Sequence, residues 1–323
     1  MKKLTTLITE SKDYSSLALA DYRSVGPVYF LEDLRSCTAL KKEIDILVVR
    51  LNYQINKHWI ESLPNLKLIA TPTTGLNHID TKYAEAKGIK VISLRGHASF
   101  LKNVSSTAEL ALGLMLALVR NIPSAFESVK SGVWDRTKFR GYQLSGQTLG
   151  ILGLGRLGRI MAKYGRAVGM KVIAHDPYIP ISIMKKMGVQ EVSMNTLFKI
   201  SDIISLHVLL DNSTHNLVKE NHLKLMKPSA YLINTARAEL VEKDALIKAL
   251  KNRWISGAAV DVLWDEKGNG SHLKNNPLIE YARKNNNFIV VPHIGGATFE
   301  AMHSTEEFIA GLVRNCFKTK KLE

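Results

Sequence analysis

Apolar residues fall into short runs along the first hundred positions, and polar stretches with helical spacing separate those runs. Four runs predict buried strands, at residues 25–30, 45–50, 66–71 and 89–93. A short helix is predicted between the last two strands, at residues 78–87. The pattern therefore predicts α/β structure with a helix-covered parallel sheet in the N-terminal third of the chain.

The same alternation resumes after residue 140 and continues almost to the C terminus. Its apolar runs predict six strands, as expected for a doubly wound sheet built from two halves. These strands are predicted at residues 149–152, 171–175, 202–207, 231–234, 257–261 and 288–291. Helices are predicted at residues 157–168 and 242–251, followed by an amphipathic C-terminal helix at 301–317.

A strongly apolar helix is predicted between the two series. Ser106 and Glu109 have the spacing of a capping box directly before the run LALGLMLALVR, so the helix should begin near residue 106. Pro123 should end it. The helix is apolar on almost every face, which predicts burial, either wholly within one subunit or against a second subunit. A domain boundary is predicted between residues 105 and 110.

The stretch 148–176 has the pattern of a strand, a glycine-rich turn, a helix and a second strand. Gly153, Gly155 and Gly158 form G-x-G-x-x-G, and Asp176 ends the second strand. In dinucleotide-binding folds such glycines allow a tight turn, a close approach to pyrophosphate and close helix–strand packing, and the acid binds ribose hydroxyls. The stretch predicts an NAD site. The alternative is a glycine-rich turn in some other parallel sheet.

The composition fits a folded protein of two domains, with 323 residues that are 46% hydrophobic and 23% charged. The net charge of +15 raises the alternative of a nucleic-acid surface. Because the lysines are scattered rather than interleaved with aromatic residues, a generally basic surface is the preferred interpretation, with no nucleic-acid partner. Two cysteines and no zinc-type spacing predict no metal site. No signal peptide or membrane span is predicted, which favours a cytoplasmic protein without a membrane partner.

Three polar residues that could carry chemistry follow strands of the second series: Arg237, Glu266 and His293. Arginine binds a carboxylate through a planar fork. Histidine transfers protons near neutral pH, and a neighbouring carboxylate keeps it protonated and oriented. Each residue alone could be an ordinary polar group. As a set at strand ends, they predict reduction of a 2-oxo acid.

One loop of the first series follows a predicted strand in the same way. It runs from Thr71 to His78 and contains Gly75. Ligands of open α/β sheets bind at the carboxyl ends of strands, and a glycine there can expose backbone N–H groups to an anion. A plain turn remains the alternative.

The sequence resembles the D-isomer-specific 2-hydroxyacid dehydrogenase family over nearly its whole length. LGILGLGRLG resembles the family's nucleotide loop, and KPSAYLINTARAELV resembles its arginine motif. AAVDVLWDE resembles the segment with its catalytic Glu, and PHIGGAT resembles its catalytic histidine motif. The resemblance implies that Arg237, Glu266 and His293 are catalytic, with His293 as the acid/base.

The resemblance also implies two sets of binding residues. The cofactor set is Thr107, Gly153, Gly155, Arg156, Leu157, Gly158, Asp176, His207, Thr235, Ala236, Asp261 and Gly295. The substrate set is Arg50, Thr74, Gly75 and Leu76. Arg50 resembles an arginine that phosphoglycerate-type members use on a substrate phosphate. Leu51 follows it where those members commonly have Ser, so phosphorylation of the substrate stays open.

The implied fold has two Rossmann-like lobes, with a doubly wound NAD-binding domain at residues 106–294 inserted into a flavodoxin-like substrate domain at residues 1–105 and 295–323. The implied function is hydride transfer between NAD and a small D-2-hydroxy acid or its 2-oxo partner, by an oxidoreductase acting on CH–OH donors. A homodimer is also implied. The alternative function is a non-catalytic, NADH-binding partner protein, because the family includes corepressors with this fold.

Overall fold

A computed structural model of the protein describes residues 3–318, and it divides into two compact units. Unit 1 contains the chain up to Asn103, the segment Lys267–Ser271 and the chain from Thr298 onward. Unit 2 contains Val104–Glu266 and His272–Ala297. Positions 1–2 and 319–323 of the predicted substrate domain lie outside the described residues. The assignment of one function to each domain stays a prediction.

Unit 1 contains a parallel sheet of five strands. They are β1 (Thr5–Ile8), β2 (Val28–Phe30), β3 (Ile44–Val48), β4 (Leu68–Ala70) and β5 (Lys90–Ile92). Their spatial order is β2-β1-β3-β4-β5, the flavodoxin-like order 2-1-3-4-5. The helices on this sheet are α1 (Ser16–Val25), α2 (Leu31–Ser36), α3 (Lys57–Glu61), α4 (Thr81–Ala86) and α5 (Ala98–Leu101).

Unit 2 contains a parallel sheet of seven strands. They are β6 (Thr148–Leu152), β7 (Lys171–His175), β8 (Gln190–Glu191), β9 (Ile203–Leu206), β10 (Tyr231–Asn234), β11 (Gly257–Val260) and β12 (Phe288–Val290). Their order is β12-β11-β10-β9-β6-β7-β8. Counted from β6, this is the doubly wound order 3-2-1-4-5-6 with one further strand at the edge. The predicted α/β fold class is confirmed, and the strands missing from the prediction are β1 of the first sheet and the two-residue β8 of this sheet.

Helices cover both faces of the second sheet. They are α6 (Ser106–Val119), α7 (Ile122–Lys130), α8 (Arg156–Ala167), α9 (Ile181–Lys186), α10 (Met194–Ile200), α11 (Glu220–Leu225), α12 (Lys243–Lys251) and α13 (Pro277–Ala282). The last helix of the chain, α14 (Phe299–Lys318), belongs to unit 1. The core on one face of the sheet includes Phe198 and Leu250, and that on the other includes Met115 and Met161.

Helix α6 begins at the predicted residue, but its N-terminal cap differs from the prediction. The N-cap is Ser105, whose hydroxyl donates to the Glu109 carboxylate at 2.5 Å. The Ser106 hydroxyl is buried without a hydrogen-bond partner. Pro123 lies in the first turn of α7 rather than at the end of α6, because proline's missing N–H is tolerated at a helix start. Residues Ala111 and Met115 of α6 are fully buried within unit 2.

Candidate active site

The glycine-rich turn joins β6 to α8 in unit 2, and its three glycines have different surroundings. Gly153 has φ +89°, a conformation that side chains rarely adopt. A Cβ on Gly158 would lie 2.1 Å from the carbonyl oxygen of Gly153, so helix and turn are in direct contact there. A Cβ on Gly155 would meet nothing within 4 Å. The open side of Gly155, at the N-terminus of α8, therefore leaves room for an anionic group next to the backbone.

Asp176 lies beside this turn, at the end of β7. One carboxylate oxygen accepts from the Leu154 N–H at 2.7 Å, and the other accepts from the Tyr178 N–H at 2.9 Å. Arg156 donates to the carbonyl oxygen of Val104, at the start of unit 2. The carboxylate predicted to bind a ribose is thus fixed next to the turn predicted to bind pyrophosphate.

Glu266 and His293 are in direct contact in unit 2. Oε2 of Glu266 lies 2.6 Å from Nδ1 of His293, and Oε1 accepts from the Leu263 N–H at 2.7 Å. Burial raises the pKa of Glu266, but the His293 hydrogen bond and charge and the Leu263 N–H outweigh it, so the pKa is lowered. The neighbouring Asp265 is 76% exposed and pairs with Lys243 at 2.9 Å. Glu266 is therefore the carboxylate that orients the imidazole.

Asp261, at the end of β11, holds the segment that carries His293. Its two carboxylate oxygens accept from the N–H groups of Ile294 at 2.6 Å and Gly295 at 2.8 Å. Thr107 donates to the Gly295 carbonyl oxygen at 3.0 Å. Burial raises the pKa of Asp261 to about 6, against the lowering effect of the two N–H groups. This role was not foreseen from the sequence, which assigned Asp261 only to the cofactor.

His293 itself has φ +54°, an unusual conformation for a residue other than glycine. Such backbone strain persists only where surrounding contacts fix it, and it is common at functional sites. The His293 N–H donates to the Asp261 carbonyl oxygen at 3.0 Å, and the ring contacts Glu266; these bonds supply those contacts.

Arg237 follows β10 in a turn that the side chain of Asn234 closes. The Asn234 amide donates to the Arg237 carbonyl oxygen at 2.8 Å, and its oxygen accepts from the Ala236 N–H at 3.0 Å. The guanidinium is half-buried and donates to the Ala236 carbonyl oxygen at 2.7 Å. Its charge also lowers the pKa of Glu266, although the two side chains do not form a hydrogen bond. Asn234 is a positioning residue that sequence reasoning missed.

Two further residues of the predicted cofactor set lie at neighbouring strand ends. His207 follows β9, and its Nε2 lies 2.8 Å from the hydroxyl of Ser205. Burial lowers the pKa of His207 to about 4, so the ring is neutral at physiological pH. Thr235 follows β10, and its hydroxyl is buried without a hydrogen-bond partner.

The predicted substrate loop of unit 1 contains backbone donors that no acceptor satisfies. It follows β4, and the hydroxyl of Thr73 donates to the Gly75 carbonyl oxygen at 2.7 Å. Within the part of the chain that the structure describes, the backbone N–H groups of Thr74, Gly75 and Leu76 have no hydrogen-bond acceptor. Successive free N–H groups of this kind bind anions.

Arg50 follows β3, the strand next to β4 in the same sheet, but its guanidinium already has partners. It forms an ion pair with the fully buried Glu306 of α14 and donates to the Lys12 carbonyl oxygen at 3.2 Å. It also lies 4.9 Å from the centroid of the Tyr14 ring. A substrate phosphate would have to compete with Glu306 for this guanidinium.

Across residues 3–318, no group of three or more His, Cys, Asp or Glu residues is arranged to bind a metal ion. Over the same residues, no single helix has both the length and the apolarity to cross a membrane. Two consecutive helical segments, Ala98–Val119 and Ile122–Lys130, meet those criteria only when they are counted as one, and they are bent by 63° relative to each other. The predicted cytoplasmic location stays a prediction.

The fold and the site define a class of protein: a doubly wound α/β protein of the dinucleotide-binding type, with a carboxylate–histidine pair at its strand ends. Residues 112–295 match the model of the D-isomer specific 2-hydroxyacid dehydrogenase, NAD binding domain. The chain belongs to the D-isomer specific 2-hydroxyacid dehydrogenase family. The predicted family and NAD cofactor are confirmed, as is the predicted oxidoreductase class at the level of the family.

Three similar proteins illustrate the range of the family. D-3-phosphoglycerate dehydrogenase of Methanocaldococcus jannaschii is 38% identical over 87% of this chain and 51% of its own length. Glyoxylate reductase of Thermococcus litoralis is 39% identical over 83% of this chain and 79% of its own length. The crystal structure of D-lactate dehydrogenase from Aquifex aeolicus with NAD and lactic acid has a TM-score of 0.82 and 27% identity, covering 98% of this chain and 96% of that chain. The chain thus spans about half the length of the phosphoglycerate dehydrogenase.

Proposed function

We propose that this protein is an NAD-dependent dehydrogenase that interconverts a small D-2-hydroxy acid and its 2-oxo acid. The observation that carries the proposal is the contact of 2.6 Å between Glu266 and His293, in a unit whose glycine-rich turn accommodates a dinucleotide. The D configuration is supported by the names of the relatives, which include D-lactate dehydrogenase. None of the three relatives described above is a corepressor, and no contact favours that alternative.

The geometry of the pair assigns a role to each imidazole nitrogen. Nδ1 contacts Glu266, so Nε2 is the atom that exchanges a proton with the substrate. In the reductive direction, Nε2–H protonates the alkoxide as it forms; in the oxidative direction, neutral Nε2 accepts the hydroxyl proton. Bound NAD supplies or accepts the hydride. Glu266 stabilises the imidazolium and fixes the ring plane.

Arg237 is proposed to bind the substrate's carboxylate and its adjacent oxygen, where negative charge develops during reduction. Its guanidinium forms one hydrogen bond, to the Ala236 carbonyl oxygen, and a guanidinium has five N–H donors. The free N–H groups of Thr74, Gly75 and Leu76 are proposed as a carboxylate-binding site of unit 1. Residues 106–294 would then bind the cofactor and carry the catalytic residues, and the remainder of the chain would supply the predicted substrate loop.

The residues around the turn fit NAD in preference to NADP. The space next to Gly155 would admit a pyrophosphate, because nothing lies within 4 Å of the position of a Cβ. Asp176 carries a negative charge where a ribose diol would bind, and that charge would repel a 2′-phosphate. The remaining cofactor assignments, which include Leu157, Thr235 and Ala236, are proposed on the resemblance alone.

The test is an activity assay with NADH and a panel of 2-oxo acids that includes glyoxylate, pyruvate, hydroxypyruvate and phosphohydroxypyruvate. We expect NADH to be oxidised with at least one member of the panel. Tight NADH binding without turnover on any member would support the corepressor-like alternative instead.

We also propose that the protein forms a homodimer through α7. Ile122, Phe126 and Val129 lie on one side of this helix and are 51%, 62% and 50% exposed. With Leu116 and Ala125 they line an apolar depression. An apolar patch of this kind on a folded protein typically marks an interaction surface. Light scattering should report a dimer for the wild type and a monomer for Phe126→Glu, with Tyr178→Glu, a change at an exposed aromatic elsewhere in unit 2, as control.

A further inference from the structure

A chain of hydrogen bonds connects the predicted substrate loop to a buried histidine in unit 1. His78 is 4% exposed, and its Nε2 lies 3.3 Å from the hydroxyl oxygen of the fully buried Thr71. The Thr71 hydroxyl lies 3.0 Å from the Thr73 hydroxyl, which in turn lies 2.7 Å from the Gly75 carbonyl oxygen. Four groups thus connect the interior of unit 1 to the centre of the loop.

The direction of every bond in this chain follows from its last member. A carbonyl oxygen can only accept, so the Thr73 hydroxyl must give its one hydrogen to Gly75. The Thr73 oxygen then accepts from Thr71, whose own hydrogen is used in that bond. The Thr71 oxygen must therefore accept from His78, which fixes a hydrogen on Nε2 of the imidazole.

The consequence for the loop follows from peptide geometry. In a planar trans peptide the carbonyl and the next N–H point in opposite directions. Because Thr73 binds the Gly75 carbonyl oxygen, the Leu76 N–H points away from Thr73. This orientation also keeps the partial negative charge of the carbonyl away from an anion at the free N–H groups. The backbone of His78 is fixed separately, since its carbonyl oxygen accepts from the Ile55 N–H at 2.7 Å.

We propose that His78 and Thr73 are positioning residues that hold the 74–76 loop in the conformation that binds the substrate's carboxylate. This inference rests on the proposed function, because it assumes that the anion bound by the loop is a 2-oxo or 2-hydroxy acid.

The test compares Thr73→Val, which removes the hydroxyl, with Thr73→Ser, which keeps it. Thr73→Val should raise the KM for the best 2-oxo acid about fivefold, the value expected for the loss of one hydrogen bond, with kcat and NADH affinity little changed. Thr73→Ser should restore the wild-type KM. His78→Leu should raise the KM as much as Thr73→Val does. His78→Gln, which retains a hydrogen-bond donor, should raise the KM less.

A second measurement does not depend on turnover. Calorimetric titration with oxamate, an unreactive carboxylate, in the presence of NADH should show the same fivefold loss for Thr73→Val and the same recovery for Thr73→Ser. Oxamate binding that responds in this way without any turnover would sustain the inference while the proposed function fails. Equal oxamate affinity in wild type and Thr73→Val, or no oxamate binding by the wild type, would overturn the inference.

Discussion

Two alanine substitutions in the glycine-rich turn should separate cofactor binding from folding. A Cβ on Gly158 would lie 2.1 Å from the Gly153 carbonyl oxygen and 3.3 Å from the Ile151 side chain. The oxygen would have to move by more than an ångström, and it belongs to the backbone of the turn. Forced shifts of this kind cost about 1–3 kcal/mol. For a domain of this size, the cost corresponds to a melting temperature lower by ~2–12 °C.

Gly155→Ala should weaken NADH binding and leave the stability of the fold unchanged. Gly155 has φ −68°, which alanine adopts readily, and its Cβ would meet nothing within 4 Å. We therefore expect a change in the free energy of unfolding within about 0.5 kcal/mol. The methyl group would occupy the side from which pyrophosphate approaches, so NADH affinity should fall at least ~10-fold, or about 1.4 kcal/mol.

Thermal unfolding and titration of NADH fluorescence on both variants measure these two effects independently. Each variant is the control for the other, because the two sites are three residues apart in one turn. Wild-type NADH affinity in a folded Gly155→Ala variant, or an unchanged melting temperature for Gly158→Ala, would contradict the roles assigned to these two glycines.

Three further predictions concern charged residues. Glu266→Gln should lower kcat in both reaction directions, because the carboxylate that orients the His293 ring is lost, whereas Asp265→Asn should leave kcat unchanged. The reverse pattern would mean that Asp265 is the orienting carboxylate. Asp176→Asn should reduce the preference for NADH over NADPH, measured as the ratio of the two kcat/KM values, about 10-fold. An unchanged ratio would show that the charge of Asp176 does not set this preference. Glu306→Gln should free Arg50 and raise the kcat/KM for phosphohydroxypyruvate relative to pyruvate. No change in that ratio would show that Arg50 does not meet the phosphate.

Much of unit 2 could be predicted from the sequence because its signals are local. The turn conformation of Gly153, the helix after it and Gly169 at the helix end all depend on residues within one short segment. The strand order follows from the same pattern, since six apolar runs after such a turn have few compact arrangements. The fold class was therefore within reach of sequence reasoning.

The missed strands have weak local signals. β1 has the sequence TTLI, and all four residues are buried. Because two of the four are polar threonines, the sequence shows no apolar run that would predict a strand. Its central position between β2 and β3 is a tertiary property. β8 has two exposed residues and only one neighbouring strand. Neither strand could be recognised by apolar periodicity.

The contacts within the site depend on residues that are far apart in sequence. Glu266 and His293 are 27 positions apart, and their pairing could be expected only from the convergence of strand ends and the family resemblance. Arg50 and Glu306 are 256 positions apart, and nothing in the sequence around either residue indicates the other. The role of Asp261 as the anchor of the His293 segment likewise depends on a contact between residues 33 positions apart.

His293 is proposed to carry the proton in a hydride-transfer reaction, and replacing its side chain shows whether it does. Steady-state turnover and NADH affinity should be measured for wild type and His293→Ala with the best 2-oxo acid. Removing an acid/base group should lower kcat ~10²–10⁴-fold, while NADH affinity stays within about twofold of the wild type. Turnover near the wild-type value, or a loss of NADH affinity as large as the loss of turnover, would contradict the assignment.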